Sequence, residues 1–323
     1  MADYASEKGV KVQTVAGDPP ATFEGQVWYN STTGSHRVSK GPLVTAWSTG
    51  GDLNTARFYL AGAGTQTSAL AFDGDFAGPT ESYNGTNWTE VNDINSGRRE
   101  LAGTGADNTS ALAFGGNLFP NPAPPPSFIQ VANTESWNGT NWTEVNDLNT
   151  ARYRLAAAGT QTAALGFGGR SLALSPDQVA LTESWNGTNW TEVNDLNSQR
   201  DFLAGCGTQT SALGFGGEGP GLTESWNGTS WTEVNDINTA RQQLAGAGTQ
   251  TAALGFGGGP PVSALTESWN GTNWTEVNDL NLARRGLAGA GTQAAALAFG
   301  GFSTTASTEE WGETGGNFNI TSS

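Results

Sequence analysis

One histidine, His36, and one cysteine, Cys206, are the whole supply of imidazole and thiol in a chain of 323 residues. A single imidazole outside the repeats described below cannot supply a Ser-His-Asp triad, a Cys-His dyad within them or a His-based metal cluster. No Gly-x-x-x-x-Gly-Lys-Ser/Thr loop is present to hold a nucleotide. Paired carboxylates are the remaining route to catalysis, and Glu183 and Glu192 are such a pair. Equivalents such as Glu135 and Glu144 recur in every copy of the repeat, so they do not mark one active site. No catalytic residue, metal or cofactor is therefore assigned, and the chain reads as non-enzymatic. Calcium on Asp147 and its equivalents is a lesser alternative, because "VNDLN" lacks a dense Asp/Asn loop.

The repeated carboxylates belong to "TESWNGTNWTEVNDLN", which stands unchanged at 134–149, 182–197 and 266–281, with near-copies at 80–95 and 223–238. An arginine follows each Leu-Asn or Ile-Asn pair, at Arg57, Arg98, Arg152, Arg200, Arg241 and Arg284. Successive spacings are 41, 54, 48, 41 and 43 residues. A period of 40–50 residues holding four short β segments indicates propeller blades. A sixfold Glu near a sixfold Arg reads as an arginine–carboxylate brace between strands.

Within the third unit the strands fall at 155–160 (A), 163–167 (B), 181–185 (C) and 190–193 (D). Strand A, rich in Ala and Gly, belongs innermost, where backbones converge. Leu165 and Phe167 alternate onto one face of strand B and should pack on the next blade. The strand-D tryptophans are Trp47, Trp88, Trp142, Trp190, Trp231 and Trp274, and the strand-C aromatics run from Tyr83 to Trp311. Aromatic stripes can bind sugars, but recurrence in every blade favours core packing. The two series are out of phase, since the first D precedes any A and the last C has no D after it. A strand near 44–48 should therefore complete the blade of residues 284–311 and close six blades into a ring.

Composition agrees with an all-β chain: Gly is 46, Trp is 12 and charged residues are only 14%. The net charge of −16 argues against nucleic acid and anionic membranes as partners, and the acids chiefly keep a Gly-rich surface soluble. Cys206 replaces an alanine of the repeat and reads as a small buried hydrophobe. No signal-like opening and no apolar run of membrane-spanning length is found, so membrane insertion is not expected. The Asn-x-Thr triplets read as turn chemistry rather than glycosylation sites.

The A–B and C–D turns are nearly identical between units, whereas the B–C loops differ. The second, 117–133, has seventeen residues and contains "PAPPP". Its Phe119, Phe128 and Ile129 would be costly to leave bare, so a contact role is expected, with neutral drift as the alternative. Residues 1–42 lie outside the ring pattern, the propeller takes 43–311, and 312–323 form a tail. "GQVWYNSTTGSHRVSK" (25–40) reads as a hairpin in an attachment segment. Its Trp28 and Tyr29 would be exposed in an isolated chain and are expected to be buried against another subunit.

The Gly-Gly after strand B, the strand-C aromatic and the strand-D Trp resemble the kelch repeat over residues 43–311. Two marks depart from it: strand C usually carries Trp rather than Tyr, and Asp73-Gly74 replaces one Gly-Gly. The Gly-x-x-Trp-Tyr-Asn-Ser/Thr segment resembles bacteriophage virion and tail-fibre proteins. The "GTNWTEVNDLNTAR…AGTQTAALGFGG" repeat resembles marine phage proteins, cyanophage ones especially. These resemblances imply a virion structural protein, as tail fibre, adhesin or capsid decoration. It would be made in the host cytoplasm and displayed on the virion surface in many copies, with a homo-oligomer as one arrangement of them. Residues 1–42 would bind other virion subunits, and the propeller would meet a host-surface receptor or glycan. A cellular protein-interaction scaffold of kelch type is the alternative.

Overall fold

The computed structural model describes residues 12–19, 26–39, 44–74, 79–118, 129–302, 305–314 and 317–319. These are strands, turns and irregular connections, with no helix among them. They divide into two compact units, residues 47–311 and residues 1–46 with 312–323.

In the larger unit one four-stranded sheet recurs. Its example in the third sequence unit is Ala156–Thr160, Ala163–Phe167, Thr182–Trp185 and Trp190–Glu192, antiparallel and in chain order A-B-C-D. Five such sheets lie between Ala61 and Glu276. A further sheet holds Ala288–Gly291, Ala296–Phe299 and Thr308–Thr314, and its fourth strand is Val44–Thr49. The architecture is all-β and propeller-like.

The A strands neighbour one another in chain order, and Ala288–Gly291 also neighbours Ala61–Thr65. Small residues permit this approach. A Cβ on Gly205 would fall 2.7 Å from the Phe167 ring and 2.6 Å from the Ala157 carbonyl oxygen. Packing between sheets uses the strand-B phenylalanine and the strand-D tryptophan of the next sheet. Phe167 meets Trp231 at 4.7 Å between ring centroids, and Phe256 meets Trp47 at 4.9 Å. An aromatic pair adds roughly 0.5–1.5 kcal/mol beyond the area it buries.

The smaller unit contains a sheet ordered Gln13–Val15, Val27–Asn30, Ser35–Ser39, Asn317–Asn319. Val27–Asn30 and Ser35–Ser39 are the hairpin expected from sequence. Asn30 Oδ1 caps its turn, accepting from the amides of Thr32 and Thr33 at 3.0 and 3.1 Å. The expectation for Trp28 is overturned. Its side chain is fully buried within this one chain, and its indole N–H donates to Asp18 Oδ1 at 3.2 Å. Asp18 also holds Asn30 Nδ2 at 2.9 Å and Arg37 at 3.0 Å, so one carboxylate gives the indole a partner. Trp28 thus needs no second subunit to leave water. Tyr29 is half-buried, with its ring 5.1 Å from that of His36.

Candidate functional site

The repeated charges form the frame. Arg57, Arg98, Arg152, Arg200, Arg241 and Arg284 pair with Glu81, Glu135, Glu183, Glu224, Glu267 and Glu309, and both members of each pair are buried. Burial alone would pull the Arg152 guanidinium below its ordinary pKa, and Glu183, 3.0 Å away, favours the charged form. Glu183 Oε2 accepts from the backbone N–H and side-chain amide of Asn149 at 2.7 and 2.8 Å. Asn149 leaves the preceding sheet, so each carboxylate ties two sheets together. Glu192, the other half of the carboxylate pair considered above, is exposed. Asp147 accepts the Thr134 amide at 3.0 Å, a structural task. Among the described residues no cluster of His, Cys, Asp and Glu is placed to hold a metal.

The tryptophans are structural as well. Trp47, Trp88, Trp142, Trp190, Trp231 and Trp274 are about 95% buried, and each indole donates to a strand-C threonine of the neighbouring sheet. The threonines are Thr266, Thr308, Thr80, Thr134, Thr182 and Thr223 in the same order.

Of the three apolar residues singled out in the long B–C loop, Phe119 and Phe128 lie outside the described residues. Ile129 is half exposed. Leu172 and Leu174 of the next B–C loop are also exposed, and the Leu172 amide donates to Gln130 Oε1 at 2.5 Å. The loop is not all surplus, because Asn117 is buried and its side-chain amide donates to Glu100 Oε2 at 2.8 Å.

Sequence reasoning missed a second kind of individuality. Two residues past each arginine stand Tyr59, Glu100, Arg154, Phe202, Gln243 and Gly286, with φ between 54° and 60°. Left-handed backbone costs a non-glycine residue roughly 1–2 kcal/mol, and five of these six are not glycine. Such strain tends to collect at functional sites. The six peptides form a closed circuit. The Tyr59 amide donates to the Gly286 carbonyl at 2.7 Å and the Glu100 amide to the Tyr59 carbonyl at 3.0 Å. Arg154, Phe202, Gln243 and Gly286 each donate in turn to the member before, at 2.8–2.9 Å.

These residues surround an open cavity of about 100 Å³. The residue after each is leucine, and Leu60, Leu101, Leu155, Leu203, Leu244 and Leu287 line its base. Tyr59 and Phe202 stack with centroids 5.6 Å apart. The Arg154 guanidinium lies 4.1 Å over the Phe202 ring, and its Nε is 3.2 Å from Glu100 Oε1. A Cβ on Gly286 would fall 2.8 Å from the Tyr59 ring, so glycine makes room for that ring. Gln243 Oε1 is buried without a hydrogen-bond partner. Burial pushes the Tyr59 hydroxyl above its ordinary pKa, which keeps it protonated and able to donate near neutral pH. The sequence signal was available. The arginine before and the leucine after never change, while this position differs in all six units.

No protein-family model matches the chain, and neither does any curated protein.

Proposed function

We propose that this chain is a non-enzymatic recognition module of a phage virion, built as a six-bladed kelch-like propeller closed by Val44–Thr49. The observation that carries the recognition reading is a uniform frame with individuality confined to particular positions. The Arg–Glu braces and Trp–Thr bonds repeat, while the B–C loops and the six residues of the peptide circuit differ. A scaffold that holds its frame fixed and varies its loops suits binding. Support for closure comes from the neighbouring of Ala288–Gly291 with Ala61–Thr65 and from the Tyr59–Gly286 hydrogen bond. Support for a virion role comes from the resemblance of the N-terminal hairpin and of the repeat to phage proteins. Many copies on one particle would turn weak single contacts into firm attachment.

Proteomics of purified particles tests the reading. The chain should co-purify with virions through density-gradient banding. Recovery only in a soluble cellular complex would instead favour an interaction scaffold of the host cell.

A further inference from the structure

We propose that the cavity inside the peptide circuit is a saccharide site taking one neutral sugar residue, presented at the end of a surface glycan. This rests on the reading of the chain as an attachment module and names the ligand class of the same site.

Charge decides against ionic ligands. Among the described residues, Glu100 and Arg154 are the charged residues that line the cavity, and they pair at 3.2 Å. Arg285 and Arg99, the latter 5.9 Å from the Tyr59 ring, act on that ring from outside the lining. Asp201 lies beyond the lining and is held by Arg154 at 3.4 Å and Arg170 at 2.9 Å. An anion would compete with Glu100 for Arg154, and a cation would compete with Arg154 for Glu100.

The lining has two characters, and a sugar has both. Tyr59 and Phe202 stack on each other with Arg154 over the Phe202 ring, so they offer ring edges, an apolar wall against which the C–H groups of a pyranose can pack. Gln243 Oε1 lacks a donor, and sugar hydroxyls are donors. The Tyr59 hydroxyl and the Arg154 guanidinium supply the opposite polarity. A hydrocarbon side chain would fill the leucine base but leave Gln243 unsatisfied. At about 100 Å³ the cavity admits the edge of one ring rather than a run of sugars, so a terminal residue fits best.

Gly286 shows that glycine is compatible with this backbone position, so glycine variants separate binding from folding. The experiment is saturation-transfer NMR on the full chain with a panel of neutral monosaccharides, two acidic sugars and an apolar peptide. Thermal melting of Tyr59→Gly, Phe202→Gly and Gln243→Gly accompanies it. At least one neutral sugar should saturate, and Tyr59→Gly and Gln243→Gly should each weaken it about tenfold or more with little change in melting. The proposal fails if no neutral sugar binds, if acidic sugars or the peptide bind better, or if both variants bind normally. Co-purification with particles but no sugar binding would remove this inference and leave the virion reading intact. Sugar binding without co-purification would do the reverse.

Discussion

The indole of Trp47 donates to the Thr266 hydroxyl at 3.0 Å across 219 residues of sequence. The same bond joins Trp190 to Thr134 at 3.1 Å, only 56 residues away. If the ring is closed, the two tryptophans do equal work. Trp47→Ala and Trp190→Ala should each lower stability by about 3–5 kcal/mol in urea unfolding, within about 1 kcal/mol of each other. A loss at Trp47 of under about 1 kcal/mol, as expected of a fraying end, would argue against closure.

Arg152 and Glu183 are both fully buried, so removing one partner strands a charge. Arg152→Ala should cost about 3–5 kcal/mol. Arg152→Met with Glu183→Gln should recover part of that, because neither position then holds a bare charge. Asn149 keeps an acceptor in the glutamine. Equal losses in the single and double variants, measured by denaturant titration, would show that charge pairing is not what the brace supplies.

Asp73 stands where other units have glycine, and its φ is 64°. Both carboxyl oxygens accept the Arg98 amide at 2.8 Å. Burial pushes its pKa up from 3.8 to about 8, and Arg98 opposes the shift. The folded chain therefore keeps a proton that the unfolded chain has released. The stability this group contributes is present below pH 3.8 and is lost as pH rises through about 8. Asp73→Gly should gain on the parent chain progressively between those limits. Melting curves at pH 4, 6 and 8 that stay parallel for the two proteins would contradict this.

Cys206 is buried, its Sγ lies 3.5 Å from the Thr249 carbonyl oxygen, and burial pushes the thiol up to about 12. It should not react with a disulfide reagent at pH 8 until denaturant unfolds the chain. Labelling at the rate of a free thiol in native buffer would mean that the strand Ala204–Thr208 opens on its own.

What could be read from sequence depended on how contacts are encoded. The Arg–Glu pairs and Trp packing were legible because each repeats six times and repetition marks a structural role. Strand positions in the third unit were legible to within about one residue. Trp28 was misjudged because its partner Asp18 lies ten residues upstream, in no recognisable pattern. The pairing of Asn317–Asn319 with Ser35–Ser39 was hidden for a similar reason, since it joins two ends of the chain. The cavity was missed through loop length. B–C loops announce themselves by insertion, whereas Tyr59, Glu100, Arg154, Phe202, Gln243 and Gly286 occupy a position of constant length. Of the six residues only Gly286, which has no Cβ, predicts left-handed backbone.

Amide hydrogen exchange at Tyr59 is the most direct test of the closed circuit that holds these six residues together. Its N–H donates to the Gly286 carbonyl at 2.7 Å, the one bond in the circuit that an open array would lack. The Tyr59 amide should exchange as slowly as those of Arg154 and Phe202, in the middle of the chain, and speed up when residues 1–50 are deleted. A Tyr59 amide that exchanges orders of magnitude faster than its counterparts in the full chain would mean that the ring is open.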